Sequence, residues 1–149
     1  MTPFEAMVFT FDVKCPIFVA RQWMRHRHAS ISEESLRYCV AGDEVYVPNF
    51  KNEFNRQLWE RANYRQFEEY EMLIAHGVPK EQARSILPLG TYTKFYWTVN
   101  GSSLMNFLKL RLNKAAQKEI REYAEIILDM AKVVAPVSFT EFVPLVLED

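Results

Sequence analysis

Cysteine is scarce in this chain: Cys15 and Cys39 are the only two among 149 residues. Two thiols cannot staple a disulfide framework, and they are not in Cys-x-x-Cys spacing, so a reduced, cytoplasmic setting is expected. An excess of charge of one sign is lacking too. Eighteen Lys and Arg against nineteen Asp and Glu leave a formal net charge of -1. No global field therefore recruits nucleic acid or an anionic membrane, and any phosphate chemistry must rest on a local basic cluster. No apolar run approaches membrane-spanning length. Met1 is followed by Thr-Pro-Phe-Glu, without the basic and apolar regions of a secretory signal. Repeats, low-complexity stretches and linkers are also absent, so a single domain over 1–149 is expected.

What is present suits a globular domain: 49% hydrophobic and 25% charged residues, with aromatics at 14%. So many rings fit either flat ligands and subunit packing or simply a bulky core. Met7 to Lys14 alternates like a strand, and Pro16 suits a first helical turn. Ile17, Ala20, Arg21 and Met24 then share one side of a short helix, with Gln22 and Arg25 on another. His26 to Val40 reads as loop or irregular helix, and Glu44 to Val47 as a short strand stopped by Pro48. Asn52 to His76 is helix-prone, with Gly77 as C-cap. Pro79 restarts a short helix that Pro88 stops. Thr91 to Asn100 is the strongest strand; Gly101 breaks it, and Ser102 or Ser103 is expected to cap a helix to about Leu112. Ile120, Tyr123, Ala124, Ile127, Ala131 and Val134 mark a last amphipathic helix that Pro136 ends, ahead of a mostly apolar tail. The class expected is α+β, a small mixed or antiparallel sheet with packed helices.

The densest polar stretch runs from Gln22 to Tyr38, directly after the first strand and helix. Arg25, Arg27 and Arg37 offer three guanidinium forks that suit phosphate oxygens. Ser30, Ser32 and Ser35 add hydroxyl donors, and Glu33 is an acceptor suited to a ribose hydroxyl or base edge. A pocket for a phosphorylated nucleoside needs both kinds of group. The same residues also make a solvated loop whose arginines pair with Glu33 and Glu34. A metal is disfavoured, because His26 and His28 face apart on a helix and have no third ligand nearby. A nucleic-acid loop is weakened by the net charge.

Arg25-His26-Arg27, seven residues, then Ser35 reproduces a spacing that resembles the signature of the flavin-dependent thymidylate synthases. The resemblance extends through Thr2-Pro3-Phe4-Glu5, Ala20-Arg21-Gln22-Trp23, Gly77-Val78-Pro79, Leu87-Pro88-Leu89, Trp97-Thr98-Val99-Asn100 and Ser103-Leu104-Met105-Asn106-Phe107-Leu108, in the family's order. It implies reductive methylation of dUMP to dTMP. The one-carbon donor is then 5,10-methylenetetrahydrofolate, and FAD reduced by NADPH carries the hydride. By position, Gln22, Arg25, Glu33, Ser35, Leu36, Arg37, Arg84 and Arg111 would surround dUMP, with Arg111 activating the pyrimidine and Arg37 and Arg84 holding the phosphate. Arg25, His26, Arg27, Glu33, Asn100 and Asn106 would line FAD. No residue is assigned to a metal. Neither cysteine has an obvious general base beside it, so a covalent cysteine route has no candidate pair. Asn106 and Arg111 are five apart and on different helical faces, so two ligands or contact across subunits is expected; family homotetramers share their sites in that way.

Departures from the family pattern are expected to matter on the flavin side. The family's further N-terminal segment precedes the position of Thr2, and family histidine, basic and histidine positions are occupied by Ala6, Ser102 and Ala115. Non-catalytic binding of dUMP or FAD is the alternative that these departures leave.

Overall fold

A computed structural model describes residues 2–142. After a 3-10 turn at Thr2–Glu5 come β1 (Val8–Pro16), α1 (Ile17–Trp23), β2 (Ala29–Glu33) and α2 (Glu53–Ala75). They are followed by α3 (Lys80–Ala83), a 3-10 turn at Arg84–Ile86, β3 (Tyr92–Asn100), α4 (Gly101–Arg111), α5 (Lys118–Val134) and a π-helical turn at Val137–Phe142. The sheet is antiparallel with order β1-β3-β2, so the architecture is the expected α+β one. β3 is the central strand, and its side chains alternate cleanly. Thr93, Phe95, Trp97 and Val99 are buried, whereas Lys94 and Tyr96 face out.

The chain divides into two compact units. The first takes the described parts of Met1–Phe11, Arg21–Ile31 and Tyr96–Asp149. Its core is an aromatic cluster in which Trp23 lies 5.3 Å from Trp97 and 5.0 Å from Phe107, with Trp97 and Phe107 4.9 Å apart. Each such pair adds about 0.5–1.5 kcal/mol to the area it buries. Ile120, Ala124, Ile127 and Ala131 are the buried stripe of α5, at the spacing expected of an amphipathic helix; of the other two residues expected on that face, Tyr123 is half-buried and Val134, in the last turn, is exposed. Gly101 opens α4 by donating its N–H to the Met7 carbonyl at 2.9 Å. A β-carbon there would stand 2.8 Å from the Phe4 carbonyl oxygen, so only glycine admits this close approach.

The second unit takes Asp12–Ala20 and Ser32–Phe95. Asn52 caps α2, its Oδ1 accepting the Phe54 N–H at 2.8 Å, and Gly77 follows the helix at φ 80°. Within α2 only Phe67 and Tyr70 are buried; the Tyr70 hydroxyl accepts the Ala41 N–H at 3.2 Å and ties the preceding loop down.

Four local expectations are corrected. Ala29–Glu33, expected in a loop, is strand β2. Its one large apolar residue, Ile31, is too weak a pattern, and an edge strand needs little burial. Pro16 closes β1 instead of opening α1, since an edge strand tolerates a residue that cannot donate to the ladder. Glu44 to Val47 forms a single bridge, Val45 to Thr91, rather than a strand. Asn100, not Ser102 or Ser103, caps α4: its Oδ1 accepts the Ser103 N–H at 2.8 Å. The end of the expected apolar tail, from residue 143 on, lies outside the described residues.

Candidate active site

In the first unit, the turn after α1 and one face of α4 enclose a cavity of about 430 Å³. Arg25, His26, Arg27 and His28 line it from the turn. Val99, Ser102, Ser103, Asn106, Leu110 and Arg111 line it from the end of β3 and from α4. Ser102, Ser103, Asn106 and Leu110 follow the three- and four-residue spacing of one helical face. Arg111, five residues beyond Asn106, reaches the same cavity through its long side chain, so both residues border one space. Ser102, Ser103, His28 and Leu110 were not assigned from sequence; their spacing from Asn106, or adjacency to Arg27, was the available signal.

The cavity is lined by three guanidinium groups and no carboxylate. Among the described residues neither Arg25 nor Arg27 forms an ion pair. That argues against a loop whose arginines are spent on neighbouring glutamates, and the concentrated positive charge suits an anionic ligand. Arg111 is held by two bonds. Its Nε donates to His26 Nε2 at 3.0 Å and its Nη2 to the Gln22 carbonyl at 2.8 Å. Burial lowers the Arg111 pKa. Burial, reinforced by the Arg111 charge, lowers that of His26 to about 4, so its imidazole is neutral at pH 7. The Gln22 amide nitrogen donates to Gln117 Oε1 at 2.6 Å.

In the second unit, Glu33 Oε1 accepts the Thr93 hydroxyl at 2.7 Å, and Ser35 Oγ accepts the Arg37 N–H at 3.4 Å. Leu36 is half-buried beside them. Arg37 Nε lies 3.9 Å from Glu81 Oε2, one helical turn before Arg84, so Arg37 is drawn to the segment that carries Arg84. Both arginines are exposed. Cys15 is buried in this unit; desolvation first, then Glu33, pushes its thiol up to about 12, leaving no thiolate near pH 7. Cys39 is exposed. Among the described residues no group of His, Cys, Asp or Glu is placed to hold a metal ion, and no helix is long and apolar enough to cross a membrane.

The sequence matches the family described as Thymidylate synthase complementing protein over residues 1–137. It is 42% identical to the flavin-dependent thymidylate synthase of Pseudothermotoga lettingae, over 95% of this chain and 69% of that protein. It is 46% identical to that of Thermosipho melanesiensis, over 95% and 70%. The chain belongs to the flavin-dependent thymidylate synthase family. Among solved structures, a UMP/dUMP methylase, PolB from Streptomyces cacaoi, bound with 5-Br dUMP, superposes with a TM-score of 0.87 at 34% identity, covering 95% of this chain and 72% of that one.

Membership implies a flavin, and the donor set meets that demand. Two guanidiniums, two hydroxyls and the Asn106 amide suit the anionic and ribityl portions of a flavin nucleotide, and Val99 and Leu110 supply apolar wall. The residues present fit the group. Asn100, also expected to line FAD, is not among the cavity-lining residues; its oxygen caps α4. Of the three departures, Ser102 still contributes a hydroxyl to the cavity; Ala6 and Ala115 are exposed and outside its lining.

Proposed function

We propose that this chain carries out the reductive methylation of dUMP to dTMP, with 5,10-methylenetetrahydrofolate as carbon donor and NADPH-reduced FAD as hydride carrier. Family membership supports the reaction class, and the nucleotide bound to PolB supports a uridylate substrate. The observation that carries the reading for this chain is the carboxylate-free cavity in which Arg111 meets the Arg25-His26-Arg27 segment. Arg25, His26, Arg27, Asn100 and Asn106 are read as the flavin contacts, with Glu33 shared between ligands. Gln22, Arg25, Glu33, Ser35, Leu36, Arg37, Arg84 and Arg111 are read as the dUMP contacts.

When bound, the reduced flavin supplies the hydride that converts the transferred methylene to a methyl group. The chain's own work is electrostatic and positional. Arg37 and Arg84 would hold the 5′-phosphate, and the free oxygen of Glu33 would accept a ribose or ring N–H or O–H. Arg111 would face the pyrimidine and stabilise the negative charge that makes C5 nucleophilic. The high pKa of Cys15 supports a route that does not use a cysteine nucleophile.

The two units are read as parts of one domain, since the family match runs through both. Ile126, Met130 and Val133 stand exposed on α5, away from its buried stripe, and supply an apolar surface for the homotetramer with shared sites that we infer. The balanced charge and two unpaired thiols support a cytoplasmic enzyme that acts on neither nucleic acid nor membrane. The test is direct. Purified protein should be yellow, bleach with NADPH and form dTMP from dUMP and methylenetetrahydrofolate, and Arg111→Ala should lower kcat about 10²-fold or more without unfolding the chain. Saturable dUMP binding without turnover would instead establish the non-catalytic alternative.

A further inference from the structure

We propose that His26 is a positioning residue for Arg111: by accepting Nε–H while the Gln22 carbonyl accepts Nη2–H, it orients the guanidinium so that the outer Nη1/Nη2 edge is left to the ligand. The inference deepens the reading of Arg111 given above and rests on it for the identity of that ligand.

A guanidinium carries five N–H groups in one plane, arranged as two forks. The side fork is Nε–H with the nearer Nη2–H; the outer fork is the pair formed by Nη1 and Nη2. The two bonds seen, 3.0 Å to His26 and 2.8 Å to Gln22, are made by Nε and Nη2, the two nitrogens of the side fork. Three N–H groups remain, and the outer fork has two parallel donors for a planar acceptor edge. An arginine at the end of a surface helix would otherwise sample many rotamers. Here two acceptors, one in the last turn of α1 and one on the turn that follows, fix the last torsions of the side chain, so the ordering is achieved before a ligand arrives.

The arrangement constrains the imidazole as well. Nε2 must be unprotonated to accept, so neutral His26 carries its proton on Nδ1. The ring packs edge-on against Phe107 with centroids 4.9 Å apart, and Phe107 is fully buried in the aromatic core. That apolar support and the Arg111 charge keep the imidazole neutral, the only form that can accept from an arginine. A cationic His26 would present two donors to a third cation in a cavity already lined by Arg25 and Arg27.

His26 also borders the cavity read as the flavin site, so the experiment must separate action through Arg111 from direct contact with flavin. Binding of dUMP to flavin-free protein, followed by calorimetry, provides that readout. His26→Phe keeps a ring against Phe107 and removes the acceptor; it should weaken dUMP binding about tenfold, the loss of a hydrogen bond to a charged group. His26→Gln places Oε1 near the position of Nε2 and should restore affinity to within about threefold of native. In an Arg111→Lys background, which has no Nε–H, His26→Phe should cost nothing further. Multiplying losses in the double variant, or equal losses for Phe and Gln, would overturn the proposal. Nitrogen NMR of the imidazole tests the geometry without any ligand. Nε2 should be unprotonated and Nδ1 protonated across neutral pH; an Nε2–H tautomer would overturn it. If the native protein bound neither dUMP nor UMP, the functional reading would fall, and the NMR result would still decide the role of His26.

Discussion

Gly101→Ala is the sharpest test of how α4 is held. The residue is buried at the first position of the helix, and its N–H donates to the Met7 carbonyl at 2.9 Å. Helix propensity alone favours the change, since alanine outranks glycine by up to about 1 kcal/mol in a helix interior. Sterics oppose it. The new Cβ would lie 2.8 Å from the Phe4 carbonyl oxygen, 3.4 Å from Met7 Cβ and 3.5 Å from Phe4 Cβ. The nearest of these is a backbone atom, so the Thr2–Glu5 turn must back away and strain or lose the Met7 bond. Overpacking costs about 1–3 kcal/mol and a backbone hydrogen bond about 1 kcal/mol. We expect a net loss of about 1–3 kcal/mol, or a fall in Tm of roughly 3–10 °C for a chain of this size. Gly42→Ala is the control, because nothing lies within 4 Å of a β-carbon there and its backbone is not left-handed. It removes the same unfolded-state entropy and should be neutral or stabilise by about 0.4–1 kcal/mol. Thermal and urea melts of both variants, at one protein concentration, report the difference. A Gly101→Ala protein as stable as the native one would refute the close approach that seats α4.

Two further predictions concern the site. Asn100→Asp keeps the oxygen that caps α4 and loses the amide donor, so melting should be nearly unchanged while FAD affinity falls; Asn100→Ala should in addition cost about 1 kcal/mol of stability. Melting unchanged in the alanine variant would remove the capping role. His26 should also mark the stability profile in acid. Its pKa of about 4 in the fold lies below its ordinary 6.5, so the unfolded chain takes up the proton first. The contribution of neutral His26 is then fully present above pH 6.5 and is lost as pH falls through 4. Its half-exposed position reduces that to about 1 kcal/mol. Denaturant melts of His26→Gln should show a correspondingly flatter slope between those pH values, and an unchanged slope would contradict the burial of this ring.

The sequence made the regular elements legible wherever one local signal sufficed. β3 alternates large apolar and polar residues without interruption, and the Asn52 and Gly77 caps of α2 are chemical signals that need no tertiary context. β2 was illegible because an edge strand is specified by its partner: Ala29–Glu33 has one large apolar residue, and its pairing depends on where the chain lies. The cap of α4 was misread for a related reason. Ser102 and Ser103 are good capping residues in isolation, but a strand that ends in Asn100 brings Oδ1 to the Ser103 N–H first. For the site, the Arg25-His26-Arg27 spacing and Arg111 were visible, and the bond between His26 and Arg111 was not. They are separated by 85 positions, and only the fold brings them together.

The placement of that bond explains why a polar turn and an aromatic core occur side by side. Three guanidiniums around one cavity repel one another, and no carboxylate among the lining residues offsets them. Such a cluster destabilises the empty fold and favours any ligand that brings negative charge, so part of the binding energy is relief of repulsion. A fourth cation at His26 would increase that repulsion and leave Arg111 without its acceptor. The aromatic core prevents this, since the ring that Trp23 and Trp97 pack against, Phe107, is also the ring that supports His26. The core thus sets the protonation state of a site residue, and through it the orientation of Arg111. By this logic a conservative thinning of the core, Phe107→Leu, should disturb the site as well as the fold. Beyond a melting loss of about 1–3 kcal/mol, the His26 pKa should move back toward 6.5, followed by its imidazole NMR titration. A variant that melts lower with an unmoved His26 titration would show that core and site are energetically separate.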